Sequence, residues 1–286
     1  MRWYLFTLPL RAWKNRKIVR SQENYSVFVR ECSESKAVAE RVQNGQQAGP
    51  YPEGPGSGWR YQCKRLPMHD ELQKAYDLEE IAGQGDTFTR ALRVMGWLTA
   101  HTWYCGMSFW SGSLPDNGLK ILRYAYDNPF RHAINCRHKA YALADCLVAI
   151  GIAAIPVCII NEGYCHLVVH VWLPEERRWV MLDPSFDSYI TDETGRALNL
   201  FEIHDCRRRG EALNVPQYNF NGTQDCRESY LEHFVLCSLW EISTYNSTGS
   251  KQGDSRNALL PEGVASKDNK LRSITATELL AEPIIE

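Results

Sequence analysis

The stretch from Asn135 to Leu182 constrains this fold more than any other part of the chain. Asn135 is an N-cap residue, and Ala140, Leu143, Ala144, Leu147 and Val148 recur at three-and-four spacing, which predicts a helix with one apolar stripe. Gly151 ends it at a position suited to a left-handed C-cap. Three strand-like runs follow, Ile152–Ile160, Tyr164–Leu173 and Arg178–Leu182, with Pro174 to Arg177 reading as a hairpin turn between the last two. A helix that must bury its stripe, followed at once by antiparallel strands, predicts an α+β fold with the helix packed on the sheet.

Other elements can be placed around this unit. Residues 1–35 alternate like strands, as in Tyr25-Ser26-Val27-Phe28-Val29, and residues 44–58 form a Gly/Pro-rich loop. The pattern from Pro67 to Ala82 is helical. Asp86 caps a second helix carrying Phe88, Ala91, Leu92, Met95 and Leu98, and a short helix spans Leu119–Asp127. Beyond Asp205 the signal weakens, with a helical stretch at 229–241 and a polar linker at 246–257. This predicts three parts: residues 1–64 adding strands and a loop to the core, a core over 65–205, and a peripheral cap and tail over 206–286.

Composition narrows the function classes. With 32 Lys+Arg against 34 Asp+Glu in 286 residues, the chain has no electrostatic pull toward nucleic acid or an anionic membrane. No apolar run is long enough to span a bilayer, and Pro9 and Arg11 break the N-terminal apolar stretch, so the expectation is a cytoplasmic protein without a signal peptide. The ten cysteines include no CxxC pair, which argues against a zinc ribbon and for mostly reduced, buried thiols.

Cys136 stands apart from the other nine. It leads the strongest helix, where unpaired N–H groups and the helix dipole favour the thiolate, the nucleophilic form of cysteine. Strand alternation puts His166, Val168, His170 and Trp172 on one face. A hairpin whose paired residue numbers sum to about 351–353 sets Asp183 opposite residues 168–170, within reach of His170 directly or diagonally. A thiol, an imidazole and a carboxylate in this order form the arrangement of thiol acyl transfer: Cys136 as nucleophile, His170 as base, Asp183 as the group that orients the base. The backbone N–H of Cys136 is the expected first oxyanion donor, with Trp97 or His101 as candidates for the second.

Asn135-Cys136 with Gly151 ending the helix, then His170-Val171-Trp172, then Trp179-Val180-Met181-Leu182-Asp183-Pro184, resembles the transglutaminase-like superfamily, and in particular its bacterial members. The likeness covers residues 86–205 and is looser outside. It implies a papain-like core with the same three catalytic residues. The expected partner is a protein or peptide substrate, and no cofactor or metal is expected, since the sequence holds no EF-hand or dense acidic loop. Arg137 stands where the crosslinking enzymes carry Trp after the nucleophile, so the resemblance does not extend to amine transfer; hydrolysis of the thioester is the simpler expectation because water needs no second binding site. The alternative is an inactive fold of this type serving as a binding module. A zinc site from Cys158, Cys165, His166 and His170 is disfavoured, because residues four apart on a strand lie about 13 Å apart.

Overall fold

The computed structural model describes residues 49–105, 117–127, 133–160, 165–220, 227, 230, 231, 241–249, 256–260, 262 and 271–286. Among these residues the helices are α1 Pro67–Tyr76, α2 Leu78–Ala82, α3 Thr87–His101, α4 Gly118–Ala125, α5 Cys136–Ala149, α6 Leu200–Arg209 and α7 Ala276–Leu279. The strands are β1 Gln62–Cys63, β2 Ala154–Ile160, β3 Cys165–Leu173, β4 Arg178–Leu182, β5 Glu241–Tyr245, β6 Arg256–Leu259, β7 Leu271–Ser273 and β8 Ile284–Ile285. Six strands form one sheet in the order β4-β3-β2-β5-β6-β7, antiparallel except for the parallel β6–β7 pair. The fold is therefore mixed α and β, with a mostly antiparallel sheet.

α5 is the central element. Asn135 caps it, its side chain accepting from the His138 N–H at 3.3 Å. At the other end the Gly151 N–H bonds to the Val148 carbonyl and the Ile152 N–H to the Leu147 carbonyl, with Gly151 at φ 79°. That is a Schellman ending, and it turns the chain straight into β2. The expected single stripe is an underestimate: every residue from His138 to Ala149 except Tyr141 is buried. The cause is packing on two sides, with β2 and β3 on one and α1, α3 and α4 on the other. Leu143 and Leu147 share an apolar cluster with Val169, Val171 and Leu182 of the sheet and with Leu72, Met95 and Leu122 of the neighbouring helices. At Gly118 a Cβ would come within 2.8 Å of Asp145 Cβ, so α4 approaches α5 more closely than a side chain would allow.

Two further expectations need correction. The helix from Pro67 to Ala82 is two helices, because Asp77 adopts a left-handed conformation (φ 49°, ψ 44°) that ends α1 and starts α2. The region after residue 205 is not a peripheral cap. β5 pairs with β2 and carries β6 and β7, so half of the main sheet comes from there, and β6 overlaps the expected 246–257 linker. The physical reason is that β2 would otherwise be an edge with unpaired backbone groups. Residues 49–64 do join the core, through buried Tyr51, Trp59, Tyr61 and Cys63 and a two-stranded β1–β8 clasp with the C-terminus. The Tyr25–Val29 strand, and residues 229 and 232–240 of the 229–241 helix, lie outside the described residues; Tyr230 and Leu231 are helical, and Glu241 instead begins β5.

Candidate active site

Cys136 is the first residue of α5 and is half-buried. From this tip its side chain packs against the apolar cluster that contains Val168, Phe186 and Tyr230. Ile134, two residues earlier, is bridged to Tyr104, with paired backbone bonds from Cys105 N–H to Ile134 O and from Ile134 N–H to Trp103 O. The segment after α3 thus runs beside the approach to the nucleophile. Lys139, one turn into α5, anchors that segment: its fully buried ammonium donates to the Thr102 carbonyl at 2.9 Å. Burial lowers its pKa to about 7 against the opposing pull of Asp187 and Asp183.

Asp183 sits just beyond β4 and is fully buried. Its backbone N–H donates to Ser188 O at 2.7 Å and its carbonyl accepts from Ser188 N–H at 3.0 Å, which closes a turn over Pro184 to Asp187. Thr99 of α3 donates to the Pro184 carbonyl at 3.1 Å and holds the turn from outside. The carboxylate is aimed by three donors: Ser185 N–H on Oδ1 at 2.9 Å, and His166 Nε2 at 2.7 Å and Tyr230 Oη at 3.3 Å on Oδ2.

The imidazole beside Asp183 is therefore that of His166, and not that of His170. The β3–β4 register pairs Val169 with Leu182, a sum of 351, so Asp183 falls level with Val168 and diagonal to both histidines. The structure takes the His166 diagonal. After Asp183, Cys136 is the next group that acts electrostatically on the His166 ring. The ring's Nε2 is engaged by Asp183. Burial alone would favour the neutral ring, but the charge and hydrogen bond of Asp183, followed by those of Cys136, outweigh it and hold the His166 pKa well above its ordinary value. Phe186 lies against the ring at 5.7 Å between centroids and is itself packed by Tyr218, Phe220 and Tyr230.

His170 has a different task. Its Nε2 accepts from the Leu200 N–H at 3.4 Å, one of the donors left open at the start of α6, and its ring stacks on Trp179 at 6.4 Å. Burial drives its pKa down to about 3, so it stays neutral and is an acceptor at Nε2. The remaining candidates are also placed. His101 Nδ1 lies 2.8 Å from the Trp97 carbonyl, and both rings pack with Tyr126 in an aromatic cluster at the α3–α4 contact. Cys158 and Cys165 touch each other, whereas His166 and His170 bond elsewhere, so the four do not converge; among the described residues no group of three or more His, Cys, Asp or Glu side chains is placed to hold a metal. No helix among those residues is long and apolar enough to cross a membrane.

A signal for His166 was present in the sequence. A 14-residue helix is about 20 Å long at 1.5 Å per residue. The tight turn at Gly151 sends β2 back along it, and about 20 Å of strand at 3.3 Å per residue reaches six residues past Ala154. That is Ile160, whose partner across the ladder is Cys165. Cys136 therefore lies level with the start of β3, beside His166, and about 13 Å short of His170. Tyr230 and Lys139 carry no such signal, because only the tertiary fold brings them to the turn after β4. No family model, curated protein or solved structure matches this chain.

Proposed function

We propose that the protein is a thiol-dependent acyl-transfer enzyme acting on amide or peptide bonds, with Cys136 as nucleophile, His166 as base and Asp183 as the group that orients it. The observation that carries this reading is the His166 ring held by a buried carboxylate at 2.7 Å, with the Cys136 thiol at a helix N-terminus acting electrostatically on the same ring. A raised imidazole pKa favours the imidazolium, and an imidazolium next to a thiol at the positive end of a helix favours the thiolate. In the proposed reaction the Cys136 sulfur attacks the carbonyl carbon, and the Cys136 backbone N–H donates to the developing oxyanion. The imidazolium proton passes to the leaving amine as the C–N bond breaks, leaving a thioester on Cys136. Neutral His166 then takes a proton from water, which releases the acid and restores the thiol. The reading keeps the transglutaminase-like and papain-like resemblance as its fold hypothesis, with His166 in the place first given to His170, and takes protein or peptide as its substrate class.

The test is the pH dependence of alkylation by iodoacetamide with peptide mapping, comparing the wild type with His166→Ala and His170→Gln. Fast reaction at Cys136 below neutral pH, slowed about tenfold or more by His166→Ala and little changed by His170→Gln, supports the pair. Equal rates at Cys136 in all three proteins would falsify it.

A further inference from the structure

Cys158 and Cys165 are outside the proposed triad, yet they lie beside it. They stand diagonally across the β2–β3 ladder, where Cys158 is opposite Leu167 and Cys165 is opposite Ile160. Their sulfurs are 3.0 Å apart and hydrogen-bonded, and both are free thiols. Cys165 is exposed, whereas Cys158 and Cys136 are both half-buried. A disulfide needs about 2.05 Å between sulfurs, so closure asks for a shift of about 1 Å. We propose that Cys158 and Cys165 form a reversible dithiol–disulfide pair, closed by hydroperoxides, that takes up oxidising equivalents ahead of Cys136.

The two thiols are already unlike each other in the way this chemistry needs. The hydrogen bond from Cys158 lowers the Cys165 pKa to about 7, with the charges of His166 and Arg256 adding to it against the opposing effect of burial. The same hydrogen bond, then burial, pushes Cys158 well above its ordinary value. Of the two, Cys165 ionises the more readily and Cys158 holds its proton the longer. In the first step the Cys165 thiolate attacks the peroxide: an S–O bond forms, the O–O bond breaks, and protonation completes a sulfenic acid and one alcohol or water. In the second step the Cys158 sulfur attacks the Cys165 sulfur. The S–S bond forms, the S–O bond breaks, and the Cys158 proton leaves with the hydroxyl as water. The sulfurs lose two electrons in all and the peroxide gains them. A low-molecular-weight thiol reverses the process by exchange, forming a mixed disulfide with one cysteine and then its own disulfide as both protein thiols return.

Closure of this pair does not depend on Cys136 being catalytic, and its test needs no substrate. The reduced full-length protein is treated with equimolar hydrogen peroxide, quenched with iodoacetamide and mapped without reduction. The expected result is a Cys158–Cys165 linked peptide two hydrogens lighter than the dithiol, with Cys136 still alkylated and dithiothreitol restoring both thiols. In Cys158→Ser, Cys165 is expected to accumulate as a sulfenic acid that dimedone traps. In Cys165→Ser, Cys136 is expected to become the thiol oxidised first. A Cys136–Cys158 link in the wild type, oxidation of Cys136 before Cys165, or no linked peptide at all would overturn the proposal. The wild-type map decides the matter even if a variant fails to fold.

Discussion

Two histidines on one strand face, four residues apart, titrate in opposite directions because one has a charged partner and the other has only burial. His166 gains Asp183, so its folded pKa lies above the ordinary 6.5; its contribution to stability is complete below that value and is lost as pH rises through the folded pKa. His170 is pushed to about 3, so its contribution is complete above 6.5 and is lost as pH falls from 6.5 toward 3. Urea unfolding across that acidic window should therefore show His170→Gln losing less stability than the wild type, since Gln can still accept from the Leu200 N–H without titrating. An identical acid slope in both proteins would show that His170 is not buried neutral. Asp183 offers a second residue-level test. Asp183→Ala removes the buried carboxylate that His166 Nε2 and the Tyr230 hydroxyl contact and should cost about 3–5 kcal/mol in chemical denaturation, whereas Asp183→Asn should fold and keep partial activity by leaving an oxygen to aim at the ring.

At the scale of elements, α5 carries the site at one end and the turn that sets its register at the other. Gly151 has φ 79° and open space where a Cβ would be, so the cost of Gly151→Ala is backbone strain alone, about 1–2 kcal/mol. Asn135→Ala removes the cap and should cost about 1 kcal/mol. Thermal unfolding separates them from a site effect: both should lower Tm, but only Asn135→Ala, next to the nucleophile, should also change the rate at which Cys136 is alkylated. The sequence made this helix legible because capping and spacing are local properties. The break at Asp77 was not legible, because no glycine marks it and the burial of Leu78 and Ala82 after the turn supplies the reason for it.

For the whole molecule, the C-terminal region is part of the sheet, not an appendage. A chain ending at residue 240 would lose β5, β6 and β7 and expose one long edge of β2, along with the β1–β8 clasp and the bonds from Trp59 N–H to Glu278 and from Trp179 Nε1 to the Ala281 carbonyl. Such a chain should aggregate or unfold without a cooperative transition, as read by circular dichroism on heating. A cooperative transition close to that of the full chain would contradict the assignment of those strands to the core.

By itself the sequence determined the capped helix, the Gly151 turn and the β3–β4 hairpin, narrowed its register to sums of about 351–353, and singled out Cys136 and Asp183 as candidates. Each of these depends on residues within one element or one tight connection. Tertiary structure decided which histidine meets Asp183, since the register leaves two equal diagonals and only the placement of the α5 tip against β3 separates them. It also decided that Glu241–Tyr245 and Arg256–Leu259, short strands with no clear alternation, join the sheet. Glu241–Tyr245 pairs with β2, far away in the chain, and Arg256–Leu259 joins the sheet only through it, so no local pattern encodes their place.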